Sequence, residues 1–165
     1  MFKDFVKTLP ENIKEVLNRC KTTPQNPRWH PEGPHDDVPH NVYRHIEIVY
    51  ERARKFGDID MCIAALFHDL GKADTTKINK HGNWGSPGHE YVSCRYVRDN
   101  KKWIGFIRGK WFKVFNIVEQ HMRVKLMDEM KPTKREKLLK NVWIKDILQF
   151  SEFDDMSNLS LEEMK

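Results

Sequence analysis

Ala64-Ala65-Leu66-Phe67-His68-Asp69-Leu70-Gly71-Lys72 is an apolar helical run with a polar end: a histidine–aspartate pair, a glycine and a lysine. Adjacent side chains on a helix do not lie one above the other. At the end of a turn, however, His68 and Asp69 can both lean toward one metal ion. Imidazole brings a neutral nitrogen donor, and the carboxylate a hard anionic oxygen that can bridge two ions. Buried without a partner, neither group would be stable there. Whatever completes a site around the pair must come from elsewhere in the chain.

Upstream, helical periodicity runs from about Pro39 to Phe56, with Val42, His45, Ile46, Val49, Tyr50 and Ala53 on one face. This puts His45 inward and leaves His40 unassigned. Gly57 ends that helix, and Asp58 caps the next, whose apolar face is Ile59, Cys62, Ile63, Leu66 and Phe67. Gly71 suits its exit. Downstream, His89 opens a helix with Val92, Ser93, Tyr96 and Val97. His121 shares a face with Trp111, Val114, Phe115, Val118 and Met122. Asp154 prolongs the stripe Trp143, Ile147, Phe150, an odd place for an unpaired acid.

The connections are polar. Residues 22–38 carry Pro24, Pro27, Pro31, Pro34 and Gly33 and read as a long loop, where His30, Glu32 and His35 are placed to rim a site. Residues 73–88 form a second loop with Lys77, Lys80, His81 and Trp84. The stretch 99–110 mixes aromatic and basic residues without a clear element. Its aromatics read as core packing with solvated lysines, or as a surface that stacks a base or RNA. Thr8-Leu9-Pro10-Glu11 reads as a helix start with Thr8 as cap, and Pro132-Thr133 caps a helix beginning near Lys134. No strand is expected.

Composition narrows the class. At 165 residues, 39% of them hydrophobic, the chain can bury one core, and 1–165 is read as a single domain: docking helices at 1–21 and a core at 25–158. No apolar run is long enough to span a membrane, so no membrane partner is expected. The three scattered cysteines argue against a disulfide framework and for a reducing, cytoplasmic setting. The net charge of +5 suits an anionic partner. The fold class expected is all-α, a helical bundle with long functional loops.

One inward histidine is ordinarily a hydrogen-bonded core residue. Five helices that each bring His45, His68 with Asp69, His89, His121 or Asp154 inward are better explained by a metal centre. Imidazole plus carboxylate suits Mn, Fe, Co, Ni or Zn, with Mg also admissible. The ordered set His45, His68-Asp69, Asp154 resembles the HD superfamily of metal-dependent phosphohydrolases over about residues 25–158. The nearer resemblance is to the HD domain of CCA-adding tRNA nucleotidyltransferases. It is carried by Gln25-Asn26-Pro27-Arg28-Trp29-His30-Pro31-Glu32-Gly33, Asn41-Val42-Tyr43-Arg44-His45, Leu66–Lys72, Gly88-His89-Glu90 and Val118-Glu119-Gln120-His121-Met122. Nothing before residue 25 could hold a nucleotidyltransferase domain, so a stand-alone HD domain is expected, with an approach loop lengthened by Pro34-His35-Asp36-Asp37.

The resemblance implies a function. His45, His68, Asp69 and Asp154 would bind a first ion. With a second ion, Asp69 would bridge, and His89 and His121 would complete that site. Asp69, Lys72, His89 and His121 would be catalytic, with Lys72 also meeting substrate phosphate. Lys77, Lys80, His81, His30 and Glu32 would line the approach of substrate. The expected reaction is hydrolysis of a phosphate ester of a nucleotide, cyclic nucleotide or RNA 2′,3′-cyclic phosphate by metal-activated water. The alternative is an RNA- or nucleotide-binding module whose metal site is structural.

Overall fold

A computed structural model describes residues 1–32, 34–35, 38–39 and 41–164; Asp36, Asp37 and His40 lie outside the described residues, as does the His35 side chain. The chain is all-α, a helical bundle with two very short hairpins. In order it runs α1 (Phe2–Lys7), α2 (Glu11–Cys20), β1 (Pro34–His35), β2 (Val38–Pro39), α3 (Val42–Phe56), α4 (Ile59–Phe67), α5 (Lys72–Thr75), β3 (Lys77–Ile78), β4 (Trp84–Gly85), α6 (His89–Asp99), α7 (Lys101–Phe106), α8 (Trp111–Lys125), α9 (Pro132–Leu139) and α10 (Ile144–Asp154). Single 3-10 turns follow α8 and α10.

Helix α4 is the axis of the bundle. Every residue from Asp60 to Phe67 is buried. A helix apolar on all sides must be surrounded, and α4 packs against α3, α6, α8 and α10. Its start is fixed by Asp58, whose Oδ1 accepts the N–H groups of Asp60 (2.8 Å) and Met61 (3.2 Å). Helix α3 begins where the Asn41 side chain accepts the Arg44 N–H (3.0 Å) and ends at Gly57, in the left-handed region at φ 88°. Phe2, Ile13, Leu17, Ile46, Ile63, Phe67, Ile104, Ile117 and Phe150 are among the fully buried side chains. The cysteines Cys20, Cys62 and Cys94 are buried free thiols. Among the described residues no helix is long and apolar enough to cross a membrane.

Helices α4, α8 and α10 run in the same direction, and two clusters mark their ends. At the N-terminal ends the buried Lys113 ammonium meets Asp58 (3.2 Å), Asp60 (3.5 Å) and Asp146 (3.0 Å). Eight residues on in each segment stand His68 after Asp60, His121 after Lys113 and Asp154 after Asp146. Eight residues of helix advance about 12 Å, so all three segments climb from one ionic cluster to the other side-chain cluster in equal steps.

Several expectations are corrected. Thr8 closes α1, its hydroxyl donating to the Phe5 carbonyl (2.7 Å), and Pro10 stands at the N-cap of α2. The 99–110 stretch contains α7, with Trp103 and Trp111 packed against the core. Helix α9 starts two residues earlier than read, with Pro132 in its first turn. The two hairpins pair Pro34 with Pro39 and His35 with Val38, and Lys77 with Gly85 and Ile78 with Trp84. Two-residue strands leave no alternation for a sequence to show. Gly71 is right-handed (φ −62°) rather than a left-handed exit. It is needed for another reason: a Cβ there would collide with the His89 carbonyl oxygen and the Ser93 nitrogen. That close approach lets the Gly71 N–H donate to Ser93 Oγ (2.9 Å) and brings α6 against the end of α4.

Candidate metal centre

The cluster at the far end of α4, α8 and α10 contains every metal-ligating residue read from the sequence. His68 caps α4, Asp69 follows it, His121 lies in the penultimate turn of α8, and Asp154 is the last residue of α10. His45 enters from the first turn of α3, and His89 opens α6. All six are buried.

Their ligating atoms converge. His45 Nε2 lies 3.1 Å from His68 Nε2, 2.8 Å from Asp154 Oδ1 and 3.4 Å from Asp69 Oδ2. His68 Nε2 is 3.4 Å from both Asp69 Oδ2 and Asp154 Oδ1. The other oxygen of Asp69 faces the opposite way: Oδ1 is 3.1 Å from His89 Nε2 and 3.7 Å from His121 Nε2, and those nitrogens are 3.3 Å apart. Two donor groups therefore share one carboxylate, His45–His68–Asp69 and Asp69–His89–His121.

The backs of three of the four rings are tied down by backbone carbonyls. His68 Nδ1 is 2.8 Å from the Ala65 carbonyl, His89 Nδ1 is 2.8 Å from that of Ser86, and His121 Nδ1 is 2.6 Å from that of Val118. A carbonyl only accepts, so Nδ1 carries a hydrogen and Nε2 faces the centre, where it presents a lone pair to a metal once the ring is neutral. His89 and His121 then aim lone pairs at each other across 3.3 Å, a repulsive arrangement unless an electrophile joins them. The donor set fits a divalent transition metal on this ground.

Electrostatics agree. Burial would raise the acids, yet Asp69 is held well below the usual carboxylate range by His68 and Lys72, and Asp154 by Lys125 and His68. Burial would lower His68, but Asp69 and Asp154 push it up to about 9. His121 is pushed down to about 4 by burial. His45 is raised against burial by Asp154 and Glu32. A site where acids stay ionised and one imidazole holds a proton is a site built for positive charge.

Around this centre runs a second ring of contacts. Glu32 Oε1 is 3.2 Å from His45 Nδ1 and accepts from His30 Nδ1 (3.1 Å) and Gln25 Nε2 (3.3 Å). Lys72 Nζ bridges Gln25 Oε1 and Asp69 Oδ2, at 2.7 Å each. The chain thus returns to the metal cluster through Gln25 and Lys72. Burial would raise Glu32, but His30 and His45 hold its carboxyl below the usual range, and His30 is pushed down to about 4 by burial.

A cavity of about 960 Å³ opens onto the centre, with Asp69, Lys72, His89 and Asp154 in its lining. His30 also lines it, whereas Glu32 is buried behind His45. Lys77, Lys80 and His81 are exposed on the β3–β4 hairpin and do not line it, but Trp84, Gly85 and Ser86 of that hairpin do. Sequence reading missed three residues that matter here. Gln25, in the proline-rich loop, joins Glu32 to Lys72. Lys125 lines the cavity and pairs with Asp154 Oδ2 (2.6 Å), one turn beyond His121. Arg52 grips the carbonyls on either side of Asp154, at Phe153 (2.9 Å) and Asp155 (2.6 Å), and its Nε donates to Glu163 Oε1 (2.6 Å). Its signal was the two-turn step from His45 along one face of α3.

No curated protein and no solved structure matches the chain. A family model for the HD domain matches residues 38–145, well over half of the chain, and with the ordered His45, His68-Asp69 pair inside that span the protein belongs to the HD domain family.

Proposed function

We propose that the chain is a metal-dependent phosphohydrolase or phosphodiesterase acting on a nucleotide, a cyclic nucleotide or an RNA 2′,3′-cyclic phosphate. The observation that carries this reading is the divided carboxylate of Asp69, with one oxygen toward His45 and His68 and the other toward His89 and His121. His45, His68, Asp69 and Asp154 would hold one ion, and Asp69, His89 and His121 a second. A bound divalent ion supplies Lewis acidity and acidifies a water.

The chain's own residues do the rest. Glu32 fixes the His45 ring. Lys72 and Lys125, each against a carboxylate and each in the cavity wall, offer ammonium charge to phosphate oxygens. Met122, Leu126, Leu148 and Met156 keep the wall apolar and limit water. The likeness to the HD domain of CCA-adding enzymes, carried by the residues around Trp29, His45 and His89, supports a nucleotide or RNA end as substrate. The buried free thiols suit a reducing, cytoplasmic setting.

The test is a panel of nucleotides, cyclic nucleotides and 2′,3′-cyclic phosphates with Mn, Co, Ni, Zn and Mg, run on wild type and Asp69→Asn. Turnover is expected only with added metal and is expected to vanish in the variant. No metal-dependent turnover on any member would overturn the proposal. A second reading, RNA binding with a structural metal site, is favoured by the exposed Phe106 among exposed Lys101, Lys102 and Lys110. It expects salt-sensitive RNA binding that survives Asp69→Asn.

A further inference from the structure

Of the five tryptophans, Trp103, Trp111 and Trp143 pack against the core. The other two do not. Trp29 is 64% exposed and Trp84 39% exposed, and both line the cavity that opens onto the metal centre. Large exposed aromatics are costly to keep in water and are concentrated where something covers them. Each is also tethered to the metal centre by a short piece of chain. Trp29 is next to His30 and three residues before Glu32, which holds His45. Trp84 is two residues before Ser86, whose carbonyl holds His89. Trp29 has an orienting contact of its own: the Arg28 guanidinium lies 4.7 Å from its ring centroid. That contact orients a ring that is still largely exposed.

We infer that Trp29 and Trp84 form a base-recognition site at the cavity mouth, so that the ligand is a phosphate ester carrying a planar nucleobase rather than a sugar phosphate or inorganic phosphate. The two ends of the cavity differ in chemistry. The deep end carries the buried Asp69, Lys72 and His89, with the Lys125 ammonium reaching in to Asp154, and suits an anion held through a metal ion. The mouth carries two indoles and suits a flat, polarisable ring. A nucleoside phosphate has both ends in one molecule, and base–aromatic stacking tolerates any base. The 960 Å³ volume is ample for a mononucleotide. This inference rests on the proposed site holding a phosphate ester, but not on that ester being hydrolysed.

The experiment is equilibrium binding to manganese-loaded protein, by calorimetry and tryptophan quenching, of AMP, UMP, adenosine 2′,3′-cyclic phosphate and ribose 5-phosphate. At least one of the three nucleotides is expected to bind about tenfold or more tighter than ribose 5-phosphate. Trp29→Leu and Trp84→Leu are expected to shrink that ratio several-fold, and Trp29→Phe and Trp84→Phe to keep most of it, because phenylalanine stacks and leucine only fills space. Equal affinity for nucleotides and ribose 5-phosphate would overturn the inference. So would absence of nucleotide binding, or a ratio indifferent to the leucine variants. Turnover is read separately. Selective binding without hydrolysis keeps the base site and removes the hydrolase; hydrolysis without selectivity does the reverse.

Discussion

His68 is the residue whose charge the metal centre controls. Without an ion its imidazole takes a proton, because Asp69 and Asp154 outweigh the cost of burial and raise it to about 9. A group raised above its unfolded value near 6.5 contributes stability that is complete below that pH and is lost as the pH climbs through 9. Chelator-treated protein is therefore expected to lose thermal stability between pH 6.5 and 9. The metal-loaded protein should hold its Tm or gain, since the ion replaces the proton and binds better as the proton leaves. Scanning calorimetry across that range, with and without chelator, checks both limbs; a flat metal-free profile would contradict the assignment. His68 and Asp69 were legible in the sequence because they are polar at the end of an apolar run. Gln25 and Lys125 were not, because a surface-type residue on a helix face or in a proline-rich loop shows nothing of what it will touch.

At the scale of the element, α10 matters for one reason: it must end where Asp154 can reach His45 and Lys125. A helix C-terminus leaves carbonyls unpaired, and Arg52 from α3 meets those of Phe153 and Asp155 through Nη1 while Nε and Nη2 hold Glu163 and Nη2 also donates to the Asn158 carbonyl. Arg44 adds a bond to the Glu163 carbonyl (2.7 Å). Arg52→Ala is expected to cost about 2 kcal/mol in urea denaturation, the scale of hydrogen bonds to charged groups. It should also lower metal occupancy by elemental analysis, although Arg52 touches no ligand atom. Unchanged occupancy would separate the two roles. The helices themselves were readable from 3.6-residue periodicity and their caps, as Asn41, Gly57 and Asp58 show. Short elements were not: α7 is six residues interrupted by Gly105, too brief for periodicity to speak.

Across the whole molecule, Lys113 and the metal centre stand at opposite ends of the same three helical segments. Lys113→Met would leave Asp58, Asp60 and Asp146 facing one another in a largely buried position. Breaking such a cluster costs about 3–5 kcal/mol, and the loss should be smaller at acid pH: Asp58, held low against burial by the Met61 N–H and Lys113, contributes only above its unfolded pKa and loses that contribution as pH falls. Urea denaturation at pH 7 and pH 3 checks the sign. The equal eight-residue steps to His68, His121 and Asp154 are plain in the sequence, but they mean nothing until the three helices are known to run the same way.

That shared direction has an electrical consequence. A helix carries partial negative charge where its carbonyls emerge, and α4, α8 and α10 all deliver that end to the same place. Three converging dipoles and two ionised carboxylates are set there against the Lys72 and Lys125 ammonium groups and the protonated His68. A dication that takes the place of the His68 proton raises the positive charge at the cavity floor and strengthens its pull on a phosphate. The fold thereby couples metal loading to proton release and to the grip on an anion.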